Sequence, residues 1–316
     1  MFSFKISNII IICLFAVCNK FLHQAYGNNT DIHAEIKSAS LTGASRSHVV
    51  QYNITNRNNF CQKYSFAKFM VSIRRYENED RFGHTHFCGG VIIRSNLILT
   101  AAHCLIRNKQ IIRPYDITVV AKTPMRLQKT PAAQILRVKK IIIHEKFVYS
   151  KLDYDIALLK LTKHIQLDNC AAVIAMPKQR INDSTACMVL GWGKLYLAGP
   201  LANEVLQLNV TLHSKNFCDF LLDIGSKKLC ASDTYDHEKH PCSGDSGGPL
   251  ICGGVLAGVV SYGFQCGYGL PTVYSDVYEY SNWIHLNKAS YFNYFNEFLL
   301  LIVIIVVLCK NKIFEF

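Results

Sequence analysis

The sequence predicts an all-β protein, a sandwich or a barrel, on three observations. From about Phe60 onward, short runs of apolar and β-branched residues recur at the length of strands. Gly, Pro, Asn and Asp, the residues that turns select, separate them. Two stretches read as helix, Asn216 to Leu222 and Tyr278 to Asn287, the second a C-terminal helix with Trp283 and Ile284 on one face.

The strand runs follow in order. Phe69 to Ile73 and Gly90 to Ile93 are short apolar segments with Val and Ile, which suit a pleated surface. Ile135 to Ile143 is longer, and Asp155 to Leu161 carries a run of Ile, Ala and Leu. Ala186 to Leu190, Val205 to Leu212 and Gly253 to Tyr262 complete the set, with no internal repeat at a fixed period.

The 316 residues suffice for one large domain or two modest ones. Charged residues are 18% and hydrophobic residues 50%, which excludes a mainly disordered chain. Thirteen cysteines point to an oxidising compartment and a disulfide framework. Of the net charge of +12, most falls between Arg107 and Lys163, where thirteen Lys/Arg face four Asp/Glu. That face suits solvent first, and acidic glycans or acidic substrates second. No nucleic-acid motif accompanies it, so no nucleic-acid partner is expected.

The ends read differently from the middle. Residues 1–27 have a secretory signal pattern: Lys5, an apolar run from Ile9 to Val17, and the small-x-small site Ala25-Tyr26-Gly27. Ala16-Val17-Cys18 is a second candidate cut. Residues 28–57 are polar and aperiodic, a pro-segment or linker. Asn28, Asn53, Asn182 and Asn209 head Asn-x-Ser/Thr sequons. In the tail, 289–316, Phe298 to Cys309 is uninterrupted hydrocarbon followed by Lys310 and Lys312. A membrane anchor is the preferred reading, although the run is short of the roughly 20 residues of a spanning helix. A glycolipid-anchor signal cut near Ala289-Ser290 and a tail docked on the domain itself are the alternatives.

Three segments carry chemistry: Leu99-Thr-Ala-Ala-His103-Cys104, Asp153-Tyr-Asp155-Ile-Ala-Leu-Leu, and Cys242-Ser-Gly244-Asp245-Ser246-Gly-Gly-Pro-Leu250. A serine in a Gly-rich turn exposes its hydroxyl while backbone N–H groups point at an incoming oxyanion. It needs a base to take its proton, and histidine titrates in the right range. An aspartate beside that imidazole fixes its tautomer and stabilises its protonated form.

These segments together resemble the trypsin/chymotrypsin family of serine endopeptidases. Phe87-Cys-Gly-Gly90, Gly191-Trp-Gly193, Val260-Ser-Tyr-Gly263 and Trp283-Ile284 fall where that family expects them, over roughly residues 60–288, which implies a peptidase domain at 58–288. The resemblance implies two orthogonal antiparallel β-barrels of chymotrypsin-like fold with the site in the cleft between them. It implies Ser246 as nucleophile, His103 as base and then acid, Asp155 as orienter, and the N–H groups of Gly244 and Ser246 as the oxyanion hole. Ser261 to Gly263 would pair with the substrate backbone, with Tyr262 standing where the family usually has Trp. The implied disulfides are Cys88–Cys104, Cys187–Cys252, Cys218–Cys230 and Cys242–Cys266, which leaves Cys61 and Cys170 as a fifth pair. The resemblance calls for a protein or peptide substrate, an activating protease and a protein inhibitor, and for no cofactor or metal.

Two departures qualify the activity. In the family a cut frees an Ile-Val-Gly-Gly start whose ammonium pairs with the aspartate before the nucleophile, here Asp245. The sequence in that region is Thr55-Asn-Arg57-Asn-Asn-Phe-Cys61, which offers a cut at Arg57 and no Ile-Val. Arg46 lies too far upstream. The pocket that takes the substrate side chain would have His240 at its base and Gly263 and Thr272 on its walls. Histidine there provides no fixed negative charge, so the expected preference is for a small, apolar or acidic side chain rather than Lys or Arg. His84-Thr-His86 and His237-Glu-Lys-His240 could suggest metal ligands, but the second lacks the zinc-protease spacing and both read as surface-loop histidines. The sequence therefore predicts a secreted or surface-held serine endopeptidase, with a catalytically silent homologue serving as a binding module or decoy as the rival.

Overall fold

The computed structural model describes residues 61–76, 81–235, 239–264, 266 and 269–288. The signal, the pro-segment, the activation region, the hydrophobic tail, Asn28 and Asn53 lie outside the described residues.

Six strands close the first barrel: β1 (Met70–Arg75), β2 (His86–Arg94), β3 (Leu97–Thr100), β6 (Ile117–Ala121), β7 (Gln134–Ile143) and β8 (Ala157–Leu161), paired in the order β1-β2-β3-β8-β7-β6. A short hairpin of β4 (Ile106–Arg107) and β5 (Gln110–Ile111) stands apart from it. The second barrel contains β9 (Ala186–Gly191), β10 (Leu206–Leu212), β11 (Lys228–Ser232), β12 (Pro249–Cys252), β13 (Val255–Tyr262) and β14 (Thr272–Asp276), in the order β10-β11-β14-β13-β12-β9. All pairings inside the barrels are antiparallel. This is the two-barrel, chymotrypsin-like architecture.

Burial explains why these segments close up. In β7, Leu136 and Val138 are buried while Ile135 and Arg137 are exposed, the period-two pattern of a strand with one wet face. β3 and β6, which the sequence reading does not single out, are buried along their whole length and show no alternation. Val71, Ile73, Ile98, Leu99, Val119 and Leu158 fill the first barrel. Val189, Val210, Leu250, Val260 and Tyr274 fill the second. At about 25 cal/mol per Å² of apolar surface, such β-branched cores are the main stabilising term.

The two predicted helices form at their predicted places. α1 (Lys215–Leu222) starts at Ser214, whose hydroxyl accepts from Phe217 N at 3.2 Å, and ends at Asp223 in the left-handed region at φ 44°. α2 (Ser281–Lys288) buries Ile284, and its Trp283 stacks on His144 at 5.0 Å while Nε1 donates to Glu145 at 2.9 Å. The C-terminal helix thereby packs on the end of the first barrel. Disulfides join Cys61–Cys170, Cys88–Cys104, Cys187–Cys252, Cys218–Cys230 and Cys242–Cys266.

One sequence reading needs correction. His86 is not a surface-loop residue: it opens β2 and is 5% exposed, because the strand carries it inward under the Gly244 turn. His84, one turn earlier, is exposed.

Candidate active site

Asp155 is fully buried just before β8, and three donors converge on its carboxylate. Oδ2 receives His103 Nδ1 at 2.7 Å and the Ser261 hydroxyl at 2.5 Å, and Oδ1 receives the His103 backbone N–H at 2.8 Å. Its own carbonyl accepts from the Ser275 hydroxyl at 2.6 Å. His103 and Asp155 come from the first barrel, Ser261 and Ser275 from β13 and β14 of the second, so this carboxylate ties the barrels together. Ser261 reaches it because the β13–β14 register shifts between Val260 and Tyr262, which re-aims the side chain.

The Gly244–Ser246 turn faces that pair. Gly244 has φ 107°, a conformation that L side chains rarely adopt, and the turn is closed by Asp245 N to Cys242 O at 2.9 Å. Gly89 N on β2 donates to Ser246 O at 2.8 Å, and Gly247 N to Val260 O at 2.8 Å, so both barrels grip the turn. His103, Gly244 and Ser246 line one cavity of about 550 Å³. Among the described residues no hydrogen bond joins the Ser246 hydroxyl to His103.

Asp245 points the other way. Oδ1 accepts from Gly193 N at 2.7 Å and Oδ2 from Cys242 N at 2.8 Å. A methyl group on Gly193 would lie 2.1 Å from Oδ2, so only glycine lets the chain pass there. Asp245 is half-buried and lines a second cavity of about 280 Å³ with Gly191, Gly193, Lys194 and His240. Burial pushes the Asp245 carboxyl up to about 6, against the pull of the two backbone N–H groups. Among the described residues no cation is paired with it.

The residues read as a specificity pocket divide. A methyl on Gly263 would meet Thr272 Oγ1 at 3.5 Å and Pro241 O at 3.8 Å, so those two walls face each other. The buried hydroxyls of Thr272 and Tyr274 approach each other there without hydrogen-bond geometry. His240 is half-buried and lines the cavity of Asp245, not the one of Ser246.

Sequence reasoning missed a buried relay behind the turn. Arg74 Nε donates to Ser72 Oγ at 2.9 Å, Ser72 lies 2.8 Å from His86 Nδ1, and His86 Nε2 is 3.1 Å from Gly244 O. The only signal was the apolar run after His86, which marks it as the head of a strand. The donor atoms of Cys88, His103 and Cys104 lie within 4.8 Å of one another, but the two sulfurs form a disulfide and offer no thiolate.

Two closed six-stranded barrels with a histidine held by a buried carboxylate in the cleft define a two-barrel protein of the chymotrypsin-like class. The chain belongs to the trypsin family: the family model described as Trypsin matches residues 54–284. Among similar curated proteins, duodenase-1 of Bos taurus is 33% identical over 213 residues, covering 66% of this chain and 81% of the relative. Trypsin I-P1 of Gallus gallus is 33% identical over 210 residues (65% and 81%), and chymotrypsin-2 of Vespa crabro 31% over 205 residues (64% and 89%).

Proposed function

We propose that the protein is a secreted serine endopeptidase that hydrolyses peptide bonds through Ser246, His103 and Asp155. The observation that carries this reading is the buried Asp155 carboxylate bonded to His103 Nδ1, with Ser246 and Gly244 on the same cavity.

His103 Nε2 takes the Ser246 hydroxyl proton as Oγ attacks the substrate carbonyl carbon. The N–H groups of Gly244 and Ser246 receive the resulting oxyanion. The C–N bond then breaks as His103 passes its proton to the leaving amine, which leaves an ester on Ser246. Water attacks that ester, gives a proton to His103, and the C–Oγ bond breaks with the proton returned to Ser246. Asp155 keeps the Nδ1 proton in place throughout. Apo geometries of this kind tighten on substrate binding.

Thr272 facing Gly263 supports a preference for a small side chain before the cut bond. No fixed negative charge stands at position 240, where the resemblance puts the pocket base, which argues against basic residues there. Exposed Asn182 and Asn209 are open to glycosylation in the secretory pathway. The leader and the hydrophobic tail support export, with the tail holding the domain at a membrane.

Asp245, with no paired cation among the described residues and a carboxyl pushed up to about 6, favours a second reading: a silent homologue that binds peptides without cutting them. A fluorophosphonate probe separates the two. Covalent labelling that Ser246→Ala abolishes supports the enzyme; no labelling after treatment with several activating proteases supports the binding module. N-terminal sequencing of the mature chain locates the activating cut.

A further inference from the structure

The cavity that holds His103 and Ser246 continues well past them, and its far walls are basic. Arg75 at the end of β1, Arg107 in the short β4–β5 hairpin and Arg113 after it all line it, with Asp116 as the one carboxylate among the described lining residues. That carboxylate is already engaged: Arg113 Nε and Nη2 donate to it at 2.8 and 3.2 Å. Arg75 and Arg107 are exposed and join no ion pair among the described residues. Arg75 instead lies 6.0 Å from the Phe87 ring, which gives that end an apolar floor beneath a guanidinium. The Cys88–Cys104 disulfide closes the wall next to His103.

None of Ser261, Tyr262 and Gly263, the strand read as pairing with the substrate backbone, lines this cavity; on the endopeptidase reading that strand takes the acyl side. A peptide laid across Ser246 and paired to that strand therefore runs its other half, the leaving-amine side, into the arginine groove. On that placement, which rests on the endopeptidase reading, we propose that Arg75 and Arg107 select substrates carrying an acidic side chain at the first or second position after the cut bond. A guanidinium presents paired N–H donors that match a carboxylate, and two of them lining one groove reject Lys or Arg at those positions.

Quenched-fluorescent peptides that vary those two positions test it, with the activated full chain at low and high salt. Asp or Glu is expected to raise kcat/KM about five- to ten-fold over Ala, and Lys to lower it, with the difference shrinking at high salt. The double reversal Arg75→Glu/Arg107→Glu, which leaves Ser246, His103 and Asp155 in place, is expected to invert the order. Cleavage of the Ala peptides by that variant shows that it is folded. Glu77, Glu79 and Asp80 follow in sequence outside the described residues, so Glu77→Gln/Glu79→Gln/Asp80→Asn is run in parallel and should keep or sharpen the preference.

If no peptide is cut, the endopeptidase reading fails, and the groove is then read by fluorescence anisotropy of the same peptides on Ser246→Ala. Tighter binding of the acidic peptides, lost on double reversal, upholds the groove. Equal affinity for Asp, Ala and Lys peptides overturns it, as does a preference that survives the reversal. Competition by a sulfated oligosaccharide with no discrimination among peptides also overturns it, since the groove then takes glycan.

Discussion

His86 Nε2 lies 3.1 Å from the carbonyl oxygen of Gly244, in a buried setting where a carbonyl can only accept. The proton therefore sits on Nε2, and Nδ1 accepts from the Ser72 hydroxyl at 2.8 Å. Burial pushes His86 down to about 3 from an ordinary 6.5, with Arg74 and Arg126 adding repulsion. The folded chain thus holds this ring neutral where the unfolded chain charges it. Its contribution to stability is present above about pH 6.5 and lost as pH falls toward 3.

His86→Gln should remove that dependence. Urea denaturation across this range should give a wild-type curve steeper than the variant's by up to ~1.4 kcal/mol per pH unit. Parallel curves would show that the ring does not stay neutral in the fold. His86→Ala leaves the Gly244 carbonyl without its donor and should cost about 1–3 kcal/mol.

Asp245 works in the opposite direction. Its carboxyl is pushed up to about 6 from an ordinary 3.8, so its contribution is complete below about pH 4 and disappears as pH rises through 6. Asp276, also pushed up to about 6 by burial, has the same sign. Asp245→Asn should flatten only its own share, measured as a difference curve against wild type. An unchanged difference from pH 4 to 7 would mean that a cation outside the described residues already neutralises Asp245.

Asp155→Asn should lower kcat by about 10⁴-fold with little change in KM, because an amide can present N–H where Nδ1–H needs an acceptor. Ser261→Ala removes the 2.5 Å donor to the same oxygen and should cost about 1 kcal/mol and a smaller part of kcat. Steady-state kinetics with one peptide on both variants checks the ranking. Equal losses would place Ser261 on a par with Asp155.

Two glycines near the turn should respond unequally. Gly193→Ala puts a methyl 2.1 Å from Asp245 Oδ2, so the carboxyl must move or the β9 end must shift, at a cost of about 2–4 kcal/mol. Gly263→Ala meets its nearest atom at 3.5 Å, an ordinary contact, and should change stability by under about 1 kcal/mol while narrowing the substrate pocket. Thermal melts of both variants test this, and a reversed order would contradict the packing around Asp245.

The sequence by itself determined the all-β class, the two helices, and the motifs around His103, Asp155 and Ser246. Turn residues, strand-length apolar runs and motif spacing are local properties that a chain displays without folding. Strands such as β3 and β6 were not read: a run buried on both faces has no alternation, and its apolar residues alone do not separate strand from buried helix. Only some such runs, β8 among them, stood out. Only the tertiary structure decided that Ser261 and Ser275 of one barrel would hold Asp155 of the other. The same holds for His86, which lies 158 residues before Gly244 and is buried beneath its carbonyl. Placing His240 on the Asp245 cavity, and Arg75 and Arg107 beyond Ser246, likewise required the fold. Those contacts join segments far apart in the chain, and their energies come from burial and partner geometry that no local pattern encodes.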